Sequence, residues 1–228
     1  MSQSELASRP APPSIWPMYR AMVGVGVLCG LLIVTAFQVT RPIIERNEAE
    51  ALQNAIFHVL PNARTSTAYR LNESGGFEVA QGEGRGERLV YAGYDDQQKL
   101  MGLAVEAQGM GYQDVIGLIY GYSFAEEAIV GIQVLQSKET PGLGDRIEDD
   151  PDFLQNFKRL DVSLRDDLSR IAHPIVAVKH GGKAHAWEVD GITGATISSV
   201  AIADILNRSA QFWVPRLRSN LSDFQRAE

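Results

Sequence analysis

The run Ala21–Val39 (AMVGVGVLCGLLIVTAFQV) constrains this chain before anything else does. It is nineteen residues without a charge, and Thr35 and Gln38 are its only polar side chains. As a helix rising about 1.5 Å per residue it spans roughly 28 Å, close to the hydrocarbon thickness of a bilayer. Arg20 and Arg41 bracket the run, and Trp16 and Tyr19 are placed for one membrane interface. A cleaved signal peptide ending at Val34-Thr35-Ala36 is the competing reading, but an apolar core of this length fits it poorly. The run therefore reads as a retained single-pass anchor. Arg9 and Arg20 precede it while Arg41 and Arg46 follow, so the positive-inside count is a tie and leaves orientation open. Gly24-x-Gly26-x-x-x-Gly30 imitates a dinucleotide fingerprint, but no strand precedes it. Gly26 and Gly30 instead make a small-residue face for helix packing.

The rest of the chain has room for one ordinary domain. A net charge of −7 argues against a nucleic-acid partner. Cys29 is the only cysteine, which excludes an intramolecular disulfide, an iron–sulfur cluster and a thiolate zinc site. The order read from the sequence is a Ser- and Pro-rich disordered arm (1–18), a transmembrane helix (19–40), a stalk helix (41–61), a globular domain (62–214) and a tail (215–228).

In the stalk, Ile44, Ala51, Ala55 and Val59 fall at helical spacing, Ile56 and Leu60 widen the stripe, and Pro61 ends it. From Thr67 to Lys138 short apolar runs alternate with glycine punctuation at Gly75-Gly76, Gly82 to Gly86 and Gly109 to Gly111. Leu89–Ala92, Met101–Ala107, Val115–Phe124 and Ala128–Gln136 predict an antiparallel meander. A short helix opens at Pro151-Asp152 and carries Phe153, Leu154 and Phe157. Pro174–Lys179 and Lys183–Val189, separated by His180-Gly181-Gly182, predict a hairpin. Ile197, Ala201 and Ile205, with Ile202 and Leu206, predict an amphipathic helix that runs to about Phe212 and is ended by Pro215. The fold class is α+β: one transmembrane helix and stalk, then a mainly antiparallel sheet with flanking helices.

Between the second hairpin strand and that helix lies Asp190-Gly-Ile-Thr193-Gly194-Ala195-Thr196-Ile-Ser198-Ser199. Gly194 lets the backbone approach a ligand, and four hydroxyls gather at a helix N-terminus, where N–H groups lack partners and the dipole is positive. A phosphate suits that spot; so does a plain helix cap, and local chemistry leaves both open. A second segment, Glu139-Thr140-Pro141-Gly142-Leu143-Gly144-Asp145-Arg146-Ile147-Glu148, changes the balance. Taken together, ETPGLGDRIE and DGITGATISS closely resemble the G subunit of Rnf electron-transport complexes and the related C subunit of sodium-translocating NADH:quinone reductases. The Asp-Arg-Ile-Glu ending is closer to the Rnf branch. Thr193 stands where many members carry Ser.

The resemblance implies an α+β domain with FMN esterified through its phosphate to Thr196. Thr193, Gly194, Ala195, Ser199, Glu139, Thr140, Leu143 and Gly144 are the accompanying candidate cofactor-binding residues. Of these, the Thr140–Gly144 turn could present Leu143, while Glu139 and Thr140 could bond either the flavin or the attachment loop. It implies an electron-transfer subunit with no substrate turnover of its own, no catalytic residues and no metal. It also implies other membrane subunits as partners, a flavin transferase for maturation, and a flavin domain on the periplasmic side of the cell inner membrane. The quinone-reductase C subunit is the nearer rival; an anchored binding or sensory module, with TGAT a mere cap, is the distant one. His180 and His185 flank the expected hairpin turn but are too few for a metal site. Glu148-Asp149-Asp150 with Asp152 reads as a solvated loop and helix cap.

Overall fold

A computed structural model describes residues 14–80 and 88–225, so the arm up to residue 13 and the Gly82–Gly86 turn lie outside the described residues. The chain divides into two units between Ala49 and Glu50. The first is the greater part of helix α1 (Trp16–Val59), the one described helix long and apolar enough to cross a membrane. Its large apolar side chains from Met22 to Val39 are all exposed, as lipid-facing residues must be. Pro42 lies inside the helix and cannot donate to the carbonyl of Gln38. Just before it Thr40 Oγ1 donates back to the Ala36 carbonyl at 2.9 Å, and Arg41 pairs with Glu45 at 2.9 Å.

The second unit is built on one sheet of seven described strands: β1 (Thr65–Leu71), β2 (Phe77–Val79), β3 (Leu89–Tyr94), β4 (Leu100–Met110), β5 (Val115–Ser123), β6 (Ala128–Gln136) and β7 (Leu160–Asp161). Their order is β2-β1-β3-β4-β5-β6-β7 and every pairing is antiparallel. The expected meander is thus β3 to β6. Alternation sorts the side chains onto two faces. Leu103, Val105, Leu118 and Tyr120 join the core shared with the short helix α2 (Pro151–Gln155) and helix α3 (Thr196–Ser219), whereas Ala104 and Ile119 meet Ala55, Ile56, Val59 and Leu60 at the end of α1. Of the stalk stripe, Ala51 and Ile44 stay exposed.

That second face is stripped to glycine where α1 lands. A Cβ on Gly121 would lie 2.3 Å from the Val59 carbonyl oxygen, and one on Gly131 3.2 Å from Val59 Cα. On the neighbouring strands, a Cβ on Gly102 would lie 2.9 Å from Leu60 and one on Gly93 2.8 Å from Ala63. Four strands thus lose their side chains along one line, so the helix end rests on sheet backbone.

Two expectations are corrected. The hairpin is not one: β8 (Val176–Val178) and β9 (Glu188–Asp190) run parallel, with Val176 opposite Glu188 and Val178 opposite Asp190. The residues between them make turns of their own instead of pairing. Glu188 accepts the backbone N–H groups of Ala184 and His185 at 2.7 and 3.0 Å, and Asp190 accepts those of Gly181 and Gly182 at 3.0 and 3.3 Å. Trp187 is stacked between His173 and His185, at 3.8 and 4.5 Å between ring centroids.

Pro215, for its part, does not end α3, which continues to Ser219. The ring removes one hydrogen bond but is buried beside Val214 and Leu217, and packing outweighs the loss. Residues 221–224, read from the sequence as tail, form a 3-10 turn. Phe224 lies 5.1 and 4.8 Å from the Tyr69 and Phe77 rings, and Tyr94 donates its hydroxyl to the Phe224 carbonyl at 2.8 Å.

Candidate functional site

Strand β9 delivers the chain to the turn Thr193-Gly194-Ala195-Thr196. Gly191 N donates to the Val178 carbonyl at 3.0 Å, Ile192 is buried, and Gly194 takes φ +89°, a backbone conformation open to glycine. Ala195 N donates to the Ile192 carbonyl at 3.0 Å and Thr196 is the first residue of α3. The N-cap position is Ala195, which is buried and supplies no side-chain cap. The first N–H groups of a 24-residue helix are therefore offered to whatever lies in front of them.

The four hydroxyls of this segment separate cleanly. Ser199 is fully buried, and its Oγ accepts from Ile192 N at 3.0 Å while donating to the Ala195 carbonyl at 2.9 Å. Ser198, 2% exposed, donates to Glu139 Oε2 at 2.5 Å. Thr193 and Thr196 alone are exposed, and only Thr196 stands on the helix. Ser199 thus braces the turn.

Glu139 is 5% exposed and fastens three segments together. Its Oε1 accepts from Tyr112 N and Gln113 N, at 2.8 and 3.0 Å, in the β4–β5 turn, and its Oε2 holds Ser198 on α3. Gly111 and Gly144 make room for it: a Cβ on either would lie 2.5 or 2.7 Å from a carboxylate oxygen. Thr140 Oγ1 accepts from the Gln113 side chain at 2.9 Å. Glu139 thus reaches the first turn of α3 through Ser198, whereas Thr140 bonds the β4–β5 turn. Leu143 is exposed, and its Cδ2 comes within 4.0 Å of where a Cβ would stand on Gly194. Beside Gly144, Asp145 Oδ1 is buried with no hydrogen-bond partner among the described residues.

On the other side of the turn, Asn156 uses its whole amide. Its nitrogen donates to the carbonyls of Phe153 and Asp190, at 2.9 and 3.1 Å, and its oxygen accepts from Asp190 N and Lys183 Nζ, at 3.0 and 3.1 Å. Burial pushes the Lys183 ammonium down from its ordinary value, against the pull of Asp190 and Glu188. Arg146 donates to the Thr193 carbonyl at 3.2 Å and pairs with Asp150 at 2.5 Å. The Phe153 N–H at a helix start, then Arg146, hold the Asp150 carboxyl below its usual range. His180 approaches the Gly191 carbonyl at 3.2 Å while His185 lies on Trp187, so the two histidines have separate partners.

Tyr112, Gln113, Asn156 and a role for Arg146 escaped the sequence reading. Asn156 carried a signal: it shares the apolar face of Phe153 and Phe157, and a polar side chain there must find buried partners. Tyr112 carried none, since its partner Glu139 is distant in sequence.

An uncapped helix N-terminus, a φ-positive glycine and the exposed hydroxyls of Thr193 and Thr196 suit the phosphate end of a nucleotide. The FMN-binding domain family matches residues 111–211, which span the Glu139 clamp, the turn at 193–196 and most of α3. Fold and site together define an FMN-binding domain behind an apolar helix. The G subunit of the ion-translocating oxidoreductase complex of Methanosarcina acetivorans is 31% identical over 191 residues, 84% of this chain and 90% of that protein. Its Escherichia coli K12 counterpart is 32% identical over 167 residues, 72% of this chain and 75% of that protein. The chain belongs to the family formed by the G subunits of ion-translocating oxidoreductase complexes. The fold is also that of Shewanella oneidensis NqrC, with a TM-score of 0.56 at 17% identity over 78% of this chain and 96% of that one.

Proposed function

We propose that this chain is a membrane-anchored flavoprotein subunit that carries FMN as a phosphoester on Thr196 and relays electrons inside an Rnf-type ion-translocating oxidoreductase complex. The observation that carries this reading is the sorting of hydroxyls. Ser198 and Ser199 are buried and bonded, Thr193 lies before the helix, and Thr196 is exposed at its uncapped start. Bound there, FMN supplies the redox chemistry. The chain's own residues hold it. The first turn of α3 faces the remaining phosphodiester charge, Glu139 fixes the surrounding loops, and Arg146 and Asn156 fix the carbonyl of Thr193 and the strand before it.

Residues 19–40 cross the membrane, 41–61 form the stalk, and 62–214 form the flavin domain, on the periplasmic side of the inner membrane. Other subunits of the complex are its partners, and a flavin transferase matures it; turnover belongs to the assembly. Denaturing electrophoresis of protein made together with the transferase tests the attachment. The band fluoresces as flavin in wild type and in Thr193→Ala, and is dark in Thr196→Ala. A fluorescent Thr196→Ala band, or an intact wild-type mass without FMN, refutes it.

A further inference from the structure

Tyr112, Leu143 and Ile197 are large apolar side chains left in solvent, at 63%, 53% and 57% exposure. They come one each from the three segments that Glu139 joins. Tyr112 differs from the others in how firmly its backbone is held. Gly111 N donates to the Asp114 carbonyl at 2.8 Å, and Tyr112 N and Gln113 N both donate to Glu139. The Gln113 side chain donates to Thr140, and Asp114 receives Lys138 at 2.6 Å. Four successive residues are fastened, and what they hold out is one aromatic ring in solvent. Two hydrogen bonds and one carboxylate separate the Tyr112 backbone from Ser198, which lies two residues beyond Thr196. The Tyr112 backbone and the Ser198 hydroxyl meet on the two oxygens of one carboxylate, which puts the root of the Tyr112 side chain near the first turn of α3, where Thr196 stands.

We propose that Tyr112 is the aromatic group on which the isoalloxazine ring stacks, a placement that rests on attachment at Thr196. The backbone of the turn is fastened before the cofactor arrives, so the ordering that opposes stacking is confined to the two side-chain torsions of the phenol. Contact between aromatic systems favours the stacked arrangement by about threefold to tenfold.

A phenol touching a photoexcited flavin gives it an electron and takes it back, which quenches emission. The phenyl ring of Phe is too poor a donor to do so, and Leu neither donates nor stacks. The test uses the full-length flavinylated protein in detergent, comparing flavin emission lifetime and intensity in the native state with the same sample denatured. Wild type should be quenched by about threefold or more in the native state. Tyr112→Leu and Tyr112→Phe should lose that quenching, while Tyr112→Trp should keep it. Tyr112→Phe should also retain the wild-type shape of the flavin absorption band, which Tyr112→Leu should not. A band that is bright on the denaturing gel, with native emission equal in wild type and Tyr112→Leu, overturns the stacking and leaves the attachment standing. A dark wild-type band overturns both.

Discussion

Removing the Glu139 carboxylate should loosen three segments at once, and its cost can be worked out bond by bond. The side chain accepts two backbone N–H groups and the Ser198 hydroxyl, at 2.8, 3.0 and 2.5 Å. A hydrogen bond to a charged acceptor contributes about 1.5–3 kcal/mol, and a donor left buried and unpaired costs about 1–3 kcal/mol. In Glu139→Ala, Ser198 is 2% exposed and cannot turn to water, whereas the N–H groups of exposed Tyr112 and Gln113 recover some hydration. With the Ser198 bond counted at about 3 kcal/mol and the two partly rehydrated N–H groups at about 0.5 kcal/mol each, the cost is about 4 kcal/mol. Glu139→Gln keeps an oxygen for both backbone donors and lets Ser198 accept from the new amide, so its cost is about 1–2 kcal/mol. At about 2–4 °C per kcal/mol for a unit of this size, the alanine variant should melt about 8–16 °C below wild type and the glutamine variant about 2–8 °C below. Near-ultraviolet dichroism of the unflavinylated protein reads the midpoint, and amide exchange at Tyr112 and Gln113 locates the loss. Gly144→Ala, whose Cβ would press 2.7 Å from Glu139 Oε2, should be less harmful in the Glu139→Ala background than alone. An alanine variant within about 1 kcal/mol of wild type, or equal costs for Ala and Gln, would refute the clamp.

Three further outcomes follow from other parts of the fold. Gly121→Ala drives a methyl against the Val59 carbonyl and should cost about 2–3 kcal/mol in urea unfolding. Gly117→Ala, on the same strand with its nearest neighbour at 3.6 Å, serves as the control and should cost less. Asn156→Ala strands the backbone of Asp190 and should cost about 3 kcal/mol, with faster amide exchange at Asp190 and weaker flavin attachment. Alkali should unfold the domain through its buried tyrosines, because burial pushes Tyr122 up from 10.0 to about 12 and Tyr120 higher still. With the folded-state value raised, stability is intact below pH 10 and lost as pH climbs from there toward 12. Tyr122 alone is worth about 2.7 kcal/mol across that window, and Tyr122→Phe should flatten the decline seen by far-ultraviolet dichroism.

What the sequence made legible was whatever repeats with a short period. The anchor shows as an unbroken apolar run, and β3 to β6 as apolar stretches between turns. The first turns of α3 show as a stripe from Ile197 to Leu206. What it hid depends on partners far along the chain. Glu139 announces nothing of Tyr112, and Gly102, Gly121 and Gly131 sit inside apolar runs read as strands, with no sign that together with Gly93 they make room for Val59, Leu60 and Ala63. The β8–β9 segment fooled the reading because apolar runs flanking a Gly-Gly turn satisfy every local rule for a hairpin. Side-chain carboxylates of Asp190 and Glu188, by tying up the intervening N–H groups, decided otherwise. Pro215 misled for a similar reason, since burial of its ring is a tertiary fact.

Helix α3 starts at Thr196 and leads into the 3-10 turn beside β2, where Asp223 accepts from Phe77 N at 2.9 Å and Phe224 packs against Tyr69 and Phe77. One continuous element thereby joins Thr196 to the aromatic seam of β1 and β2, so a change that loosens Phe224 should be felt at the first turn of the helix, far along the chain from where it was made.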